Sequence, residues 1–394
     1  MVGKGEAASN ESGHQDNDPR ERPSSLHRPV QSRGSSGAKR GRRHSSEAAM
    51  TGPHRGSFFA IDRRIWSKLC DSGINAAVAY LVMACGTGRD NRITSWSAQA
   101  LHKYCGITWE RGKAVIDGLI HDGFVRRAAD HSPAKPRYEL LPSCTPDEVE
   151  NDGDPIIWLP NTIVTGTEKG ETPPVHRLRS AGSILAMRLF VKMYHAQNLR
   201  DDGGISPRII RSSYERSCIG EQGIFTVWGF RSTQRQIFWS GPFAAHEASA
   251  NVAGEHPVSA SIGLLERMGL LTFIPHIFEN DSPEAEIHHP YGIGAKGEES
   301  IETEIGEAAE AAARAMCPEW MISNAEDDGF EHFCPVSRTM PNIEMIGVAR
   351  LRYRSHTSRT AAWYDQLQHT GGKWVEEYQD LEARARTSRA AKRA

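Results

Sequence analysis

The sequence predicts an α+β protein that is mainly helical, with a small amount of β-structure. Three observations lead to this fold class: an apolar run at residues 75–85, a helix-turn-helix spacing around Gly106, and a partial repeat of that pattern at residues 262–271. The first is an almost unbroken apolar run with the length of a buried helix, and in the other two apolar residues recur at the helical period. The 394 residues are enough for two or three domains with their own cores.

The apolar run Asn75 to Cys85 is the first predicted helix of the folded region. It is too short to span a bilayer and has the length of a buried helix. The segment Gly86-Thr87-Gly88 is a predicted turn, and it lacks the Gly-Lys-Ser/Thr ending of a phosphate-binding loop. Residues 92–94 form a predicted short strand after it.

A helix-turn-helix follows, with Gly106 at the turn. Ala98 and Leu101 lie on one face of its first helix, and a preceding serine is available as N-cap. Gly106 can take the positive φ that reverses the chain between the two helices. Thr108 is the predicted N-cap of the second helix. The inward face of that helix carries Val115, Ile116 and Leu119.

A two-stranded hairpin completes this region. Gly123 ends the second helix, and the segments 124–127 and 137–140 are predicted strands joined by the loop 128–136. This arrangement places His131, Lys135 and Arg137 near the tip of the hairpin.

The order helix, strand, helix, helix, hairpin over residues 58–141 resembles that of the winged-helix superfamily. The resemblance implies that the N-terminal half of the second helix enters the major groove of double-stranded DNA. Between His54 and Pro142 there are 13 Lys or Arg against 8 Asp or Glu, whereas the formal net charge of the whole chain is −2. This local excess of cations favours a DNA partner. The alternative is a small helical domain whose Gly106 turn has no binding role.

We expect the DNA contacts to come from the start of the second helix and from the hairpin. Arg111 and Lys113 are the strongest candidates for groove or phosphate contacts, and Glu110 can accept from cytosine or favour the helix N-terminus. Trp109 either stacks on a sugar or thymine methyl group or packs on the hairpin. The candidate DNA-binding residues are Thr108, Trp109, Glu110, Arg111, Lys113, Arg126, Arg127, His131, Lys135 and Arg137.

Beyond residue 180 the chain partly repeats this layout. Residues 262–271 place Ile, Leu and Gly at the same offsets as residues 116–125, and the segment 184–199 is a predicted amphipathic helix before them. The candidate recognition helix 257–268 carries only two charges, both near its end. We therefore expect this copy to be a scaffold or dimerisation element.

An insertion at residues 216–256 separates the two motif helices of this second copy, and Ser206 with Pro207 predicts the start of the first of them. Aromatic residues alternate with cations over residues 228–243, a composition typical of single-stranded DNA-binding surfaces. The favoured interpretation is a hairpin whose aromatics face the core, and binding of single-stranded DNA is the alternative.

The C-terminal part contains a predicted helix at residues 298–316 with an apolar stripe. The stripe packs within the chain or forms a contact between copies, as in a homodimer. The arginines from Arg350 onward either add phosphate affinity or keep the terminus in solution.

The predicted organisation has five parts, beginning with a tail that contains almost no large apolar residues. The basic patch 39–44 in this tail either binds phosphates or stays solvated. The parts are a disordered tail (1–53), a winged-helix DNA-binding domain (54–142), a linker (143–180), a divergent winged-helix-like domain containing the insertion (181–280), and a helical C-terminal region with a basic tail (281–394).

Several classes of protein do not fit the sequence. The 7 cysteines show no C-x-x-C and no paired Cys/His spacing, which argues against a zinc site and for reduced thiols. We expect no metal, no cofactor and no catalytic residues, and the His-hydrophobic-His pair of rolling-circle nickases is missing. Without a recognisable signal peptide or transmembrane run, we expect a cytoplasmic protein that has no membrane partner.

Tandem winged helices joined by a linker resemble the arrangement in plasmid and phage replication initiators. The resemblance implies a non-enzymatic, sequence-specific protein that binds duplex DNA, as a replication initiator or replisome organiser of a bacterial plasmid, phage or integrative element. A transcriptional regulator with the same DNA-binding domain is the alternative. A protein-interaction scaffold that does not bind DNA is a further one.

Overall fold

The computed structural model describes residues 57–88, 90–141, 155–168, 170–240, 256–282, 284–292, 300–355 and 357–393. The predicted tail 1–53 with its basic patch, the acidic segment 142–154 and the end of the predicted insertion lie outside these residues. The fold is α+β, as the sequence predicts. Its β-structure is larger than predicted, because it includes a six-stranded sheet.

The first region follows the predicted order of helix, strand, helix, helix and hairpin. Its elements are β1 Phe58–Asp62, α1 Arg63–Asp71, α2 Ile74–Cys85, β2 Ile93–Thr94, α3 Ala98–Cys105, α4 Trp109–His121, β3 Val125–Arg127 and β4 Tyr138–Leu140. Strand β4 lies between β2 and β3 and pairs antiparallel with both. Residues 77–85 of α2 are all buried, which explains why this helix has no polar face.

Residues 155–181 do not form a linker. They contain β5 Ile156–Pro160, α5 Thr162–Thr165 and α6 Pro174–Ala181. Strand β5 pairs antiparallel with β1, and a buried apolar cluster that extends from Phe59 to Tyr353 includes residues of this segment. The prediction of a linker over 143–180 is wrong for its described part, because the apolar residues 156–159 complete a sheet instead of crossing solvent.

The second region begins with a helix, as predicted, and continues into two long strands, the first of which also takes in residues that were predicted as a motif helix. Its elements are α7 Ile184–Ala196, β6 Gln197–Asn198, α8 Leu199–Asp202, β7 Gly204–Ile205, β8 Ile210–Gln222, β9 Phe225–Trp239, α9 Pro257–Arg267 and β10 Leu271–Phe278. The helix expected at Ser206 and Pro207 is a turn that leads into β8. Ile210, Ser212 and Tyr214 are buried at alternate positions, which is the period of a strand and not of a helix.

Strands β8, β9 and β10 belong to a six-stranded antiparallel sheet in the order β11-β10-β13-β8-β9-β12. The remaining elements are β11 Ile287–Pro290, α10 Ile301–Met316, α11 Glu319–Asp327, β12 His332–Ser337, β13 Glu344–Leu351 and α12 Ser358–Arg393. Ile305, Ala309 and Ala312 of α10 are buried in a cluster with residues of the sheet and of α12. The apolar stripe of this helix therefore packs within its own chain.

Helices α4 and α9 end in the same way. Gly123 and Gly269 follow them with φ values of +77° and +62°. In both places the N–H of the next residue donates to the carbonyl five positions earlier at 2.9 Å, which is the Schellman arrangement. The repeat in the sequence thus corresponds to a shared local structure. Between β7 and α9, however, the β8-β9 hairpin occupies the place that α3 has in the first region.

A buried ion pair joins β13 to α10. Arg350 donates hydrogen bonds of 2.6 and 2.8 Å to the two carboxylate oxygens of Glu302, and the two side chains are 5% and 3% exposed. Burial alone would raise the pKa of Glu302, but the guanidinium of Arg350 holds this pKa below its ordinary value. Arg350 is therefore part of the core, and neither of the two roles expected for it, added phosphate affinity or keeping the terminus in solution, is correct.

Replacing Arg350→Met should lower the free energy of unfolding by about 3–5 kcal/mol, because it leaves the Glu302 carboxylate buried without its partner. The double variant Glu302→Gln with Arg350→Met should recover part of this loss. The matched control is Arg386→Met, which breaks an exposed pair with Glu382 at 2.5 Å and should have little effect. Urea unfolding measures all three, and equal losses from the two single variants would contradict the assignment.

Candidate nucleic-acid interface

Helix α4 has one buried face and one solvent face. Gly112, Ile116 and Leu119 are buried. An ideal Cβ at Gly112 would lie 3.2 Å from the Cβ of Ala98, so α3 and α4 approach closely there. The N-terminal half of the solvent face carries exposed residues that the sequence predicts as DNA-binding, namely Thr108, Trp109, Glu110, Arg111 and Lys113.

The two cations of this face are available to a partner. In the described part of the chain neither Arg111 nor Lys113 forms an ion pair with a carboxylate. The Lys113 Nζ lies 4.9 Å from the ring centroid of Trp109, which is 48% exposed. This exposure favours the interpretation in which the indole contacts a ligand over the one in which it packs on the hairpin.

Thr108 stands at the predicted N-cap position of α4, but its hydroxyl makes no capping hydrogen bond. The side chain is exposed. The first N–H groups of α4 are therefore not capped by this hydroxyl, and the partial positive charge of the helix dipole at this end favours an anion.

The turn before α4 is held by a helix from the segment that the sequence predicts as a linker. Gly106 has a φ of +67°, as predicted for the turn. The Nε of Arg179 in α6 donates to the carbonyl of Cys105 at 2.7 Å, and its Nη2 donates to the carbonyl of Gly106 at 3.2 Å. The Nε2 of His176 would lie 2.9 Å from an ideal Cβ at Gly106. Helix α6 thus fixes the turn that orients α4.

Sequence reasoning missed Arg179 and His176, although a signal was present. Pro173 and Pro174 begin α6, and Gly182 ends it in the left-handed conformation. Proline at the start and glycine just past the end are typical of a helix. The neighbouring Gly- and Thr-rich residues hid this pattern.

The arginines of the β3-β4 hairpin are paired with acids. Arg126 lies 2.7 Å from Glu139, which also pairs with Arg92 at 2.5 Å. The hydrogen bond from Arg126 is the largest of the effects that lower the pKa of Glu139. The other two predicted hairpin arginines are also paired, Arg127 with Asp117 at 2.9 Å and Arg137 with Asp130.

Two further predicted residues lie at the hairpin loop. The N–H of Arg137 donates to the Nδ1 of His131 at 3.1 Å, so the imidazole orders the loop. Lys135 is exposed, and within the described ranges it has no carboxylate partner. Of the hairpin cations selected from the sequence, Lys135 is therefore the one whose charge is not already balanced by a neighbouring acid.

Helix α9, the counterpart of α4, presents a different surface. Of its residues, all of which are described, Arg267 alone is exposed. At its start the ring of His256 lies 4.9 Å from that of Trp239. The half-buried N-terminal part of α9 supports the expectation that this helix does not act as a recognition helix.

The aromatics of the predicted insertion lie mostly in packed positions. Phe230 is buried, Trp228 is covered by the guanidinium of Arg216 at 4.8 Å, and Arg231 pairs with Glu215. Phe238 is 44% exposed. Phe243 and the side chain of Arg235 lie outside the described residues. The described part corresponds to the favoured interpretation, a hairpin packed on the core.

Two other kinds of site are absent from the same ranges. No group of three His, Cys, Asp or Glu side chains there is placed to hold a metal ion. No described helix has the length and apolar character needed to cross a membrane.

The chain matches no protein-family model, no curated protein and no solved structure.

Replacing Gly106→Ala should lower the free energy of unfolding by about 1–2 kcal/mol, because alanine is strained in the left-handed conformation and its Cβ meets His176. Gly118→Ala is the matched control. Gly118 lies within α4 with open space around its Cβ position, so alanine there should stabilise by about 0.5–1 kcal/mol. Thermal or urea unfolding would detect a loss of stability in the first variant and a gain in the second. A change in the same direction in both would contradict a strained, closely packed turn at Gly106.

Proposed function

We propose that this chain binds duplex DNA sequence-specifically through α4 and the β3-β4 hairpin, as a winged helix, and has no enzymatic activity. One observation carries the proposal: α4 presents two cations and an exposed indole at its N-terminal half, beside a turn that is held rigidly. The helix at the equivalent place in the second region lacks this surface.

In the proposed complex the N-terminal half of α4 lies in the major groove. Arg111 and Lys113 have the chemistry to bind guanine O6 and N7 or the phosphates at the groove edge. The exposed indole of Trp109 covers a sugar or a thymine methyl group. Lys135 reaches a phosphate beside the groove, while the paired arginines shape the hairpin.

The proposed biological role is that of a replication initiator or replisome organiser of a bacterial mobile element. The unequal surfaces of α4 and α9 support a division between a part that reads DNA and a part that serves assembly. Selection of genomic fragments by the purified chain distinguishes this role from its alternatives. Iterated sites at an origin would support it, single promoter sites would indicate a transcriptional regulator, and no enrichment would favour a protein-interaction scaffold.

Replacing Arg111 and Lys113 together by alanine should weaken binding to the selected duplex, at a cost of about 1–3 kcal/mol for each base-specific interaction that is removed. The matched control is the double variant Arg200→Ala and Arg338→Ala, which removes the same charge from exposed positions outside the proposed interface. Fluorescence anisotropy at several salt concentrations gives both affinities. Unchanged binding by the α4 variant would contradict the proposed docking.

Trp109→Ala should reduce the preference for the selected site over random duplex, since the indole contributes contact area and little charge. Trp320→Ala is a suitable control, because Trp320 is 62% exposed on α11 and lies outside the proposed interface. The measurement is the ratio of affinities for specific and random duplex. A ratio that falls equally in both variants would remove Trp109 from the interface.

A further inference from the structure

Helix α6 contacts both the first region and the second region, which are called the two halves below, through two arginines on nearly opposite faces. Arg179 binds the turn before α4, as described above. The Nη1 of Arg177 donates to the carbonyl of Met268, the residue that follows α9, at 2.8 Å. Residues two positions apart in a helix are separated by about 3 Å along its axis and point in nearly opposite directions. The turn before α4 and the end of α9 are therefore separated by roughly two side-chain lengths.

Exposed cations lie at the end of α9. Arg267 is exposed and folds back along the helix, where its Nη1 would lie 3.2 Å from an ideal Cβ at Gly263. Arg352 is exposed at the end of β13, with its Nη1 3.6 Å from the ideal Cβ position at Gly269. Its backbone N–H donates to the carbonyl of Leu270 at 3.2 Å, which fixes it beside the end of α9.

The charges of these two arginines are not balanced within the described chain, where neither forms an ion pair with a carboxylate. Arg177 differs from them. Its Nη2 donates to the hydroxyl of Tyr353 at 2.9 Å, and this hydroxyl in turn donates to Glu171. Arg177 therefore acts mainly as a structural link, whereas Arg267 and Arg352 form an exposed cationic corner.

We propose that this corner, Arg267 and Arg352, is a second contact for the phosphate backbone of the same DNA duplex that α4 reads. The inference rests on the proposed function. Helix α6 connects the corner to the turn before α4 through Arg177 and Arg179. This connection favours DNA over a separate acidic protein, because a single polyanion can contact both places. The turn before α4 and the end of α9 lie on either side of α6, and the distance between them is shorter than one turn of the duplex, which is about 34 Å. The second half thus adds affinity through phosphates without a recognition helix.

The test uses the full chain and duplexes of increasing length centred on the selected site. On long duplexes the variant Arg267→Ala with Arg352→Ala should reduce the slope of log affinity against log salt by about 2, because each of the two arginines neutralises one phosphate. On the shortest duplex that still binds α4, the variant and the unchanged chain should have equal affinity. The Arg200→Ala and Arg338→Ala variant, in which the same amount of charge is removed, should behave as the unchanged chain on both.

Two results would overturn the proposal: a slope for the corner variant that equals that of the control, or an equal loss of affinity on short and long duplexes. Because both arginines are exposed, the variant should fold as the unchanged chain does. Equal unfolding midpoints would confirm this. Failure of duplex binding itself is recognised separately, because the unchanged chain would then show no salt-dependent binding to any duplex.

Discussion

The ion pair of Arg350 and Glu302 is the constraint on which the arrangement of the second half depends. It connects the centre of the six-stranded sheet to α10, while the Nε of Arg350 donates to the carbonyl of Gly203 at 2.6 Å. On its other side the guanidinium lies 5.0 Å from the ring centroid of Trp363 in α12. Four segments distant in sequence thus meet at one charged group. A buried guanidinium tolerates few geometries, so its partners are held in a narrow range of positions.

Helix α6 gives the two halves a common frame. It fixes the turn that orients α4 and also the end of α9, so both structurally repeated helices are placed relative to the same short element. The halves nevertheless differ in what they expose. Helix α4 offers cations and an indole, whereas α9 is covered along most of its length. The same local fold therefore presents an open, cationic surface in one half and acts as a packing element in the other.

Sequence reasoning identified the elements whose signals are local. The helices around Gly106 and the repeat at 262–271 follow from short-range periodicity and from glycines that require positive φ. The large sheet could not be recognised, because its pairings join residues far apart, such as β8 with β13. The candidate cations are all exposed in the structure. Their partners were not visible, since Glu139 and Asp117 meet Arg126 and Arg127 only after the chain has folded.

The position of β13 in the sheet affects how the protein is made. It follows all the other described strands in sequence, yet it lies between β10 and β8. Until it is synthesised, the sheet consists of two separate pieces, β11-β10 and β8-β9-β12, and each has one more unpaired edge than it has in the complete sheet. Such edges pair readily with other chains. A nascent chain of this protein therefore exposes the edges of β10 and β8 to other chains until residues 344–351 pair with both.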